Sequence, residues 1–335
     1  MRRRSSLLRG AFYLVSTALI VLAGFTVPLP FVETQPGAPT EIAPLVEIDG
    51  VEVTELHGTA SLLTIRQRDQ AVFPALWILL DDDRSLSPVE EVFPPGVDRD
   101  EYHTAQRQRF RRQFEVAAAV GAQAAGVDVE IATAVEVLQV LPESSAHGLL
   151  LPGDIITAVD GEPLEDAAQL QAITEAGSLG DELTLTVLRD GQQEQVTATL
   201  GTIPGEDGPR LGIAIADGVE RLELPFDVAL REGTRIGGPS AGLMVALTVY
   251  DLLSDEDLLA GRIVVGTGSL SSNGNVGRVG GVPQKMVAAE AYGADLVLVP
   301  EQQLGEARAA ASAELDIIGV ATLEEALEAL RHAPS

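Results

Sequence analysis

Residues 237–253 read GGPSAGLMVALTVYDLL, a serine set among small residues at the head of an apolar run. The run predicts a buried helix over Leu243–Leu253, and the strand-like Pro225–Leu230 before it completes a strand–turn–helix unit. Gly238, Pro239 and Ala241 flank Ser240 and let the backbone turn tightly while a substrate carbonyl comes close. The first N–H groups of a helix have no intrahelical partner, and such groups suit a tetrahedral oxyanion. The N–H groups of Ser240 and Ala241 are the expected donors. These residues alone fit a plain N-cap serine equally well.

A hydroxyl is a weak nucleophile and needs a base. The pattern Gly238–Gly242 also fits a G-x-S-x-G elbow, whose fold calls for a later histidine; the only one is His332, near the end of the chain. The basic residues point elsewhere. Of 22, arginine accounts for 21, and Lys285 is the sole lysine. A guanidinium stays protonated, whereas a buried lysine amine can lose its charge and accept a proton. Lys285 falls in the first turn of a helix predicted over Gln284–Tyr292 behind Pro283. A helix N-terminus disfavours a cation, which helps to lower that amine's pKa. Before it come a predicted strand, Ile263–Leu270 (IVVGTGSL), and a glycine-rich turn, Asn273–Val282.

Taken together, GGPSAG, Thr267-Gly268, the spaced glycines of Gly274–Gly281, Lys285 with Ala288-Ala289, and the strand-like Ala291–Pro300 resemble the proteolytic domain of Lon proteases over residues 209–332. The resemblance implies an α+β proteolytic domain with Ser240 as nucleophile, Lys285 as general base and Thr267 as support for the amine. It also implies polypeptide substrates and a homo-oligomeric ring. Gly237 and Ser269 depart from the pattern, since many members carry acids there. Lon enzymes usually add an ATPase, but a single lysine at 285 leaves none for a P-loop. An ATP-independent serine endopeptidase is expected. Its rivals are a non-catalytic binding protein on a degenerate Lon-type fold and a hydrolase of small esters.

Residues 126–200 form another unit: a strand over Val135–Leu141, a turn-rich stretch, a helix near Asp166–Glu175, and a hairpin turning at Asp190-Gly191. Ser145-Ala146, Gly148-Leu149, Pro152–Ile156 and Val159-Asp160-Gly161 resemble the PDZ domains of bacterial proteases. That resemblance implies capture of an extended peptide on a sheet edge, with Gly126 and Val127 expected to open the groove. Residues 202–208 read as a linker, and 32–125 as a region, strand-rich over 45–80 and helical over 101–125, that links the leader to the two domains.

The leader comprises a basic residue 1–9 segment and an uncharged run over 10–31. About 20 apolar residues cross a bilayer core, and the arginines favour a cytoplasmic N-terminus. A single-pass cell-membrane anchor with an extracytoplasmic body is expected; cleavage after Val21-Leu22-Ala23 is the competing reading. The net charge of −28 argues against nucleic acid. The chain has no cysteine, and its four histidines form no helical pair, so neither a metal site nor a cofactor is expected.

Overall fold

A computed structural model describes residues 2–333 except 79, 82, 93–98, 190, 204–207, 232 and 235–237, with only the backbone of 2–11, 91, 99–109 and 112. Gly237 and much of the expected 202–208 linker lie outside the described residues.

The chain opens with α1 (Arg2–Thr26), whose described apolar side chains, among them Phe12, Leu14 and Ile20, are exposed. Among the described residues no helix is long and apolar enough to cross a membrane. The 25 residues of α1 include Arg2, Arg3, Arg4 and Arg9. The structure therefore does not support the expected transmembrane anchor, nor the membrane placement that depended on it.

The next segment was expected to be a link and is largely scaffold. Its elements are β1 (Pro28–Pro36), β2 (Thr40–Glu41), β3 (Val46–Asp49), β4 (Thr59–Leu62), β5 (Ile65–Ala71), α2 (Val72–Ile78), β6 (Ser85–Pro88), α3 (Val89–Val92) and α4 (Arg99–Ala124). The sequence VFPALWI forms a helix instead of the expected strand. Pro74 sits in its first turn, where no N–H is needed; Ala75 and Ile78 face inward, while Leu76 and Trp77 stay exposed. β1 pairs with both β5 and β6 and carries the buried Glu33, which accepts hydrogen bonds from Gln70 and from Arg84 Nη1 at 3.0 Å.

A β-rich unit follows: β7 (Glu130–Val140), β8 (Ile155–Val159), β9 (Glu162–Pro163), α5 (Ala167–Ala176), β10 (Glu182–Arg189), β11 (Gln192–Thr199) and β12 (Ile213–Glu223). Its main sheet runs β11-β10-β8-β7-β12, so the edge strand comes from beyond residue 200. Asp166 caps α5, accepting from Gln169 N at 2.7 Å. Gly126 and Val127 do not open a groove here. They follow the end of α4, where Val127 N–H donates to Ala122 O and the Val127 side chain packs on the C-terminal unit's core.

The last part comprises β13 (Asp227–Leu230), α6 (Gly242–Leu253), β14 (Ile263–Gly266), β15 (Ser269–Leu270), β16 (Val276–Gly277), α7 (Val282–Tyr292), β17 (Leu296–Pro300), α8 (Leu304–Ala310), β18 (Ile317–Val320) and α9 (Leu323–His332). Its sheet runs β18-β17-β14-β4-β2, parallel except at the β2 edge. Side chains alternate between the faces of a strand. Ala60, Leu62, Val264 and Leu298 accordingly meet α4, α6 and α9, while Leu63, Val265, Val297 and Val299 meet α7 and α8. The helix α6 is almost wholly buried because α4 covers its far side. A Cβ on Gly121 would stand 2.3 Å from Ala246 O, so glycine permits that close crossing. Strand β4 and helix α4 thus belong to the same core as the C-terminal elements, and the β-rich unit is inserted between α4 and β13.

Candidate active site

Ser240 lies in a 3-10 turn, Pro239–Ala241, that runs directly into α6. Gly238 precedes it at φ 104°, ψ 151°, a conformation open in practice only to glycine. The turn is held against the end of β14: Ser240 O accepts from Gly268 N at 2.9 Å, and Leu243 N donates to Gly268 O at 3.1 Å. Small residues make this approach possible. A Cβ on Gly242 would lie 2.7 Å from Leu270 N, and one on Gly268 would lie 2.8 Å from Val276 Cγ1. The small side chains around the serine and after Thr267 are therefore one packing requirement seen from its two sides.

Thr267 leaves the C-terminal end of β14, with its N–H on Leu298 O, and is fully buried. Lys285 reaches it from the opposite face of the sheet, in the first turn of α7 behind the left-handed N-cap Gly281. The Lys285 ammonium nitrogen Nζ donates to Thr267 Oγ1 at 2.8 Å, and Thr267 Oγ1 donates to Ser240 O at 3.4 Å. Lys285 is 2% exposed. Burial lowers its pKa from 10.5 to about 8, because a charged amine is disfavoured away from water. Near neutral pH a useful fraction of such an amine is free base with a lone pair.

Lys285, Thr267 and the Ser240 backbone are thus brought together at one end of the parallel sheet, between helices on its two faces. Ala241 is buried beneath the turn, Gly238 and Ser240 are half-buried, and Pro239 is exposed at the rim. The N–H groups of Ser240 and Ala241 stand ahead of the turn's bond from Gly242 N to Pro239 O. Ser269, lacking a carboxylate, sits beside Gly277, where a Cβ would come 2.4 Å from Ser269 Oγ. Burial is the one cause behind the Lys285 shift.

In the inserted unit, β12 pairs with β7 on one side only, and α5 lies along it. Ala167 N donates to Asp217 Oδ1 at 2.9 Å near one end of α5, and Arg210 Nη2 meets Glu175 Oε1 at 3.3 Å near the other. Between them Ile213, Ile215 and Ile173 are partly buried over the unit's core. Sequence reasoning missed this edge, although the alternating LGIAI of residues 211–215 carried its signal.

These two units, a small sheet domain with a helix-flanked edge strand and an α+β domain with a buried threonine–lysine pair beside a half-buried serine turn, match known domains. Residues 113–200 match the PDZ domain, and residues 228–332 match the Lon protease (S16) C-terminal proteolytic domain; the chain carries both. A probable periplasmic serine endoprotease, DegP-like, of Pseudomonas fluorescens is 36% identical over 26% of this chain and 18% of its own length. The Lon protease of Erwinia amylovora is 32% identical over 48% of this chain and 19% of its own. The chain therefore spans less than a third of the curated relatives it matches. The crystal structure of the PDZ domain of an SdrC-like protein from Listeria innocua overlays 24% of this chain and 92% of its own, at 26% identity and TM-score 0.24.

Proposed function

We propose that this chain is an ATP-independent serine endopeptidase in which Ser240 is the nucleophile and Lys285 the general base. The observation that carries the reading is the buried amine of Lys285, its pKa near 8, bound to Thr267 beside the Ser240 turn. The Ser240 hydroxyl attacks the scissile carbonyl as its proton passes to Lys285 Nζ. The resulting oxyanion is met by the N–H groups of Ser240 and Ala241. The protonated amine then gives its proton to the departing amine, leaving an acyl-enzyme that water hydrolyses by the same steps. Thr267 orients the amine so that its lone pair faces the serine.

Substrates are loose polypeptides, since the chain's one lysine leaves none for a P-loop ATPase. They dock on the free edge of β12 beside α5, where an extended peptide adds a strand, and the partly buried isoleucines favour an apolar side chain. The body works outside the cytoplasm, in keeping with the periplasmic relatives. The apolar part of α1, exposed from Phe12 onward and following Arg2, Arg3, Arg4 and Arg9 of the same helix, is the element that holds it at a membrane. Copies assemble as a homo-oligomer through the proteolytic domain.

Casein cleavage by the parent chain, by Ser240→Ala and by Lys285→Arg tests the chemistry. Cleavage by the parent and loss in both variants is expected. Equal cleavage in all three sinks the dyad. A parent that binds peptides without cutting them returns the chain to the class of anchored binding proteins.

A further inference from the structure

Lys285 stands in a helix turn that lacks the usual fastening. The N-cap of α7 is Gly281, which has no side chain to satisfy the free N–H groups that follow it. The turn is held from outside instead. A Cβ on Gly281 would stand 2.8 Å from Ile65 Cγ2, and Ile65 opens β5, paired with Pro36 of β1. Gln284, the residue before Lys285, is buried, and its amide Nε2 donates to Ser85 Oγ at 3.3 Å. Ser85 opens β6 and pairs with Thr34 of β1. The two strands that flank β1 thus each grip the first turn of α7, one at its N-cap and one beside Lys285.

A single buried carboxylate ties these strands together. Glu33 on β1 accepts from Gln70 on β5 and from Arg84, the neighbour of Ser85. The charge of Glu33 is thereby paired with Arg84. Among the described residues no charged group adds to the shift of Lys285, and burial alone produces it. An amine displaced by burial stays displaced only while water is kept from it. The Gln284–Ser85 contact runs from a buried amide to a half-buried hydroxyl, so it lies where the buried turn meets the outside. Without Ser85 Oγ the Gln284 amide would be a buried donor lacking an acceptor, and water is the partner such a group takes.

We infer that Ser85 and Gln284 are positioning residues: through the first turn of α7 they hold the Lys285 amine at Thr267 and close its surroundings to water. The small sheet of β1, β5 and β6 is then part of the active site, although it brings no reacting group there. The catalytic consequence rests on reading Lys285 as the general base; the effect on the amine does not.

Lys285 is the only lysine in the chain, so lysine labelled with carbon-13 at Cε gives full-length protein one signal whose titration reads this amine directly. The parent midpoint is expected at about 8. In Ser85→Ala the midpoint should rise by about 0.7 pH unit, the roughly fivefold bias that one net hydrogen bond supplies. Ser85→Thr keeps the hydroxyl and should titrate like the parent. Cleavage follows the same pattern. At pH 7, kcat/KM of Ser85→Ala should lie roughly fivefold below the parent, and the gap should nearly close by about pH 9.5, where the amine is free base in both. Damage to the fold would instead lower cleavage at every pH. Should alanine prevent folding, Ser85→Val makes the comparison with Ser85→Thr, which has the same shape and is as good a strand former. A midpoint unmoved by loss of the hydroxyl, or moved equally by threonine, overturns the clamp whether or not the chain cuts peptides. A midpoint that moves as expected in a chain that cuts nothing supports the clamp and overturns the protease reading alone.

Discussion

Replacing Lys285 by methionine removes the proposed base and should make the protein more stable. The side chains have similar length, and Lys285 is buried, as are Val282, Met286 and Ala289 of the same helix. Its pKa of about 8 against 10.5 is worth roughly 3 kcal/mol of disfavoured burial. Below pH 8 both folded and unfolded lysine are protonated, so the whole penalty is present. Between about 8 and 10.5 the unfolded chain binds the proton and the folded one does not, so stability of the parent climbs with pH; above 10.5 the penalty is gone. Against this, the methionine side chain forfeits the hydrogen bond to Thr267, worth about 1 kcal/mol net. The K285M variant should therefore gain about 2 kcal/mol at pH 7, a shift of about 1 M in the urea midpoint of the proteolytic domain. The gain should vanish and turn to a loss of about 1 kcal/mol near pH 10.5, while peptide cleavage is abolished throughout. Urea titrations followed by circular dichroism at several pH values measure this. A variant less stable than the parent at pH 7, or a difference constant across that range, refutes the idea that burial lowers the pKa of the amine.

The same amine sets the pH profile of the parent: kcat/KM should rise with pH and level off above about 8, because the free base is the active form. A profile flat from pH 6 to 9 excludes it as base. Thr267→Val keeps the shape but leaves the buried amine without its acceptor, a loss of about 1–3 kcal/mol that should lower kcat roughly five- to hundredfold, with KM little changed; an unaltered kcat removes Thr267 from the mechanism. Gly242→Ala drives a methyl against Leu270 and should displace the Ser240 turn, losing cleavage with α6 still folded by circular dichroism. Trp77 is the only tryptophan, 74% exposed, on the helix whose Phe73 ring meets Phe25 of α1. Its emission should move to shorter wavelength when full-length protein is added to lipid vesicles, since aromatic residues beside an inserted helix settle at the interface; unchanged emission and no flotation with the vesicles sink the anchoring role.

Much of the C-terminal domain was legible because its signals are local. Apolar runs, Pro283 before α7 and the glycines around Ser240 report on backbone conformation within a few residues of themselves. Lys285 stood out for a chemical reason: in a chain that uses arginine at 21 places, it is the one basic side chain that burial is able to strip of its proton. The scaffold that carries these residues was less legible. Strand β4 pairs with β14 across some two hundred residues of sequence, and α4 covers α6 from the far side of the inserted domain. No local pattern announces such partners, so residues 32–125 read as a link. The VFPALWI segment misled for a related reason. A short apolar run has no period of its own, and its helical form depends on the sheet beneath it.

The sequence by itself determined the chemical inventory: a serine among small residues, one amine able to titrate, no thiols, no P-loop lysine, and a second module between the scaffold and the serine motif. Only the tertiary structure decided that Lys285 is buried against Thr267 and that Thr267 touches the Ser240 turn, because those contacts join helices on opposite faces of a sheet. It also packed Val127 on the C-terminal unit's core and left β12 at the edge of the inserted sheet. A strand becomes an edge through the partners it lacks, and that property belongs to the whole sheet and to no segment of the chain.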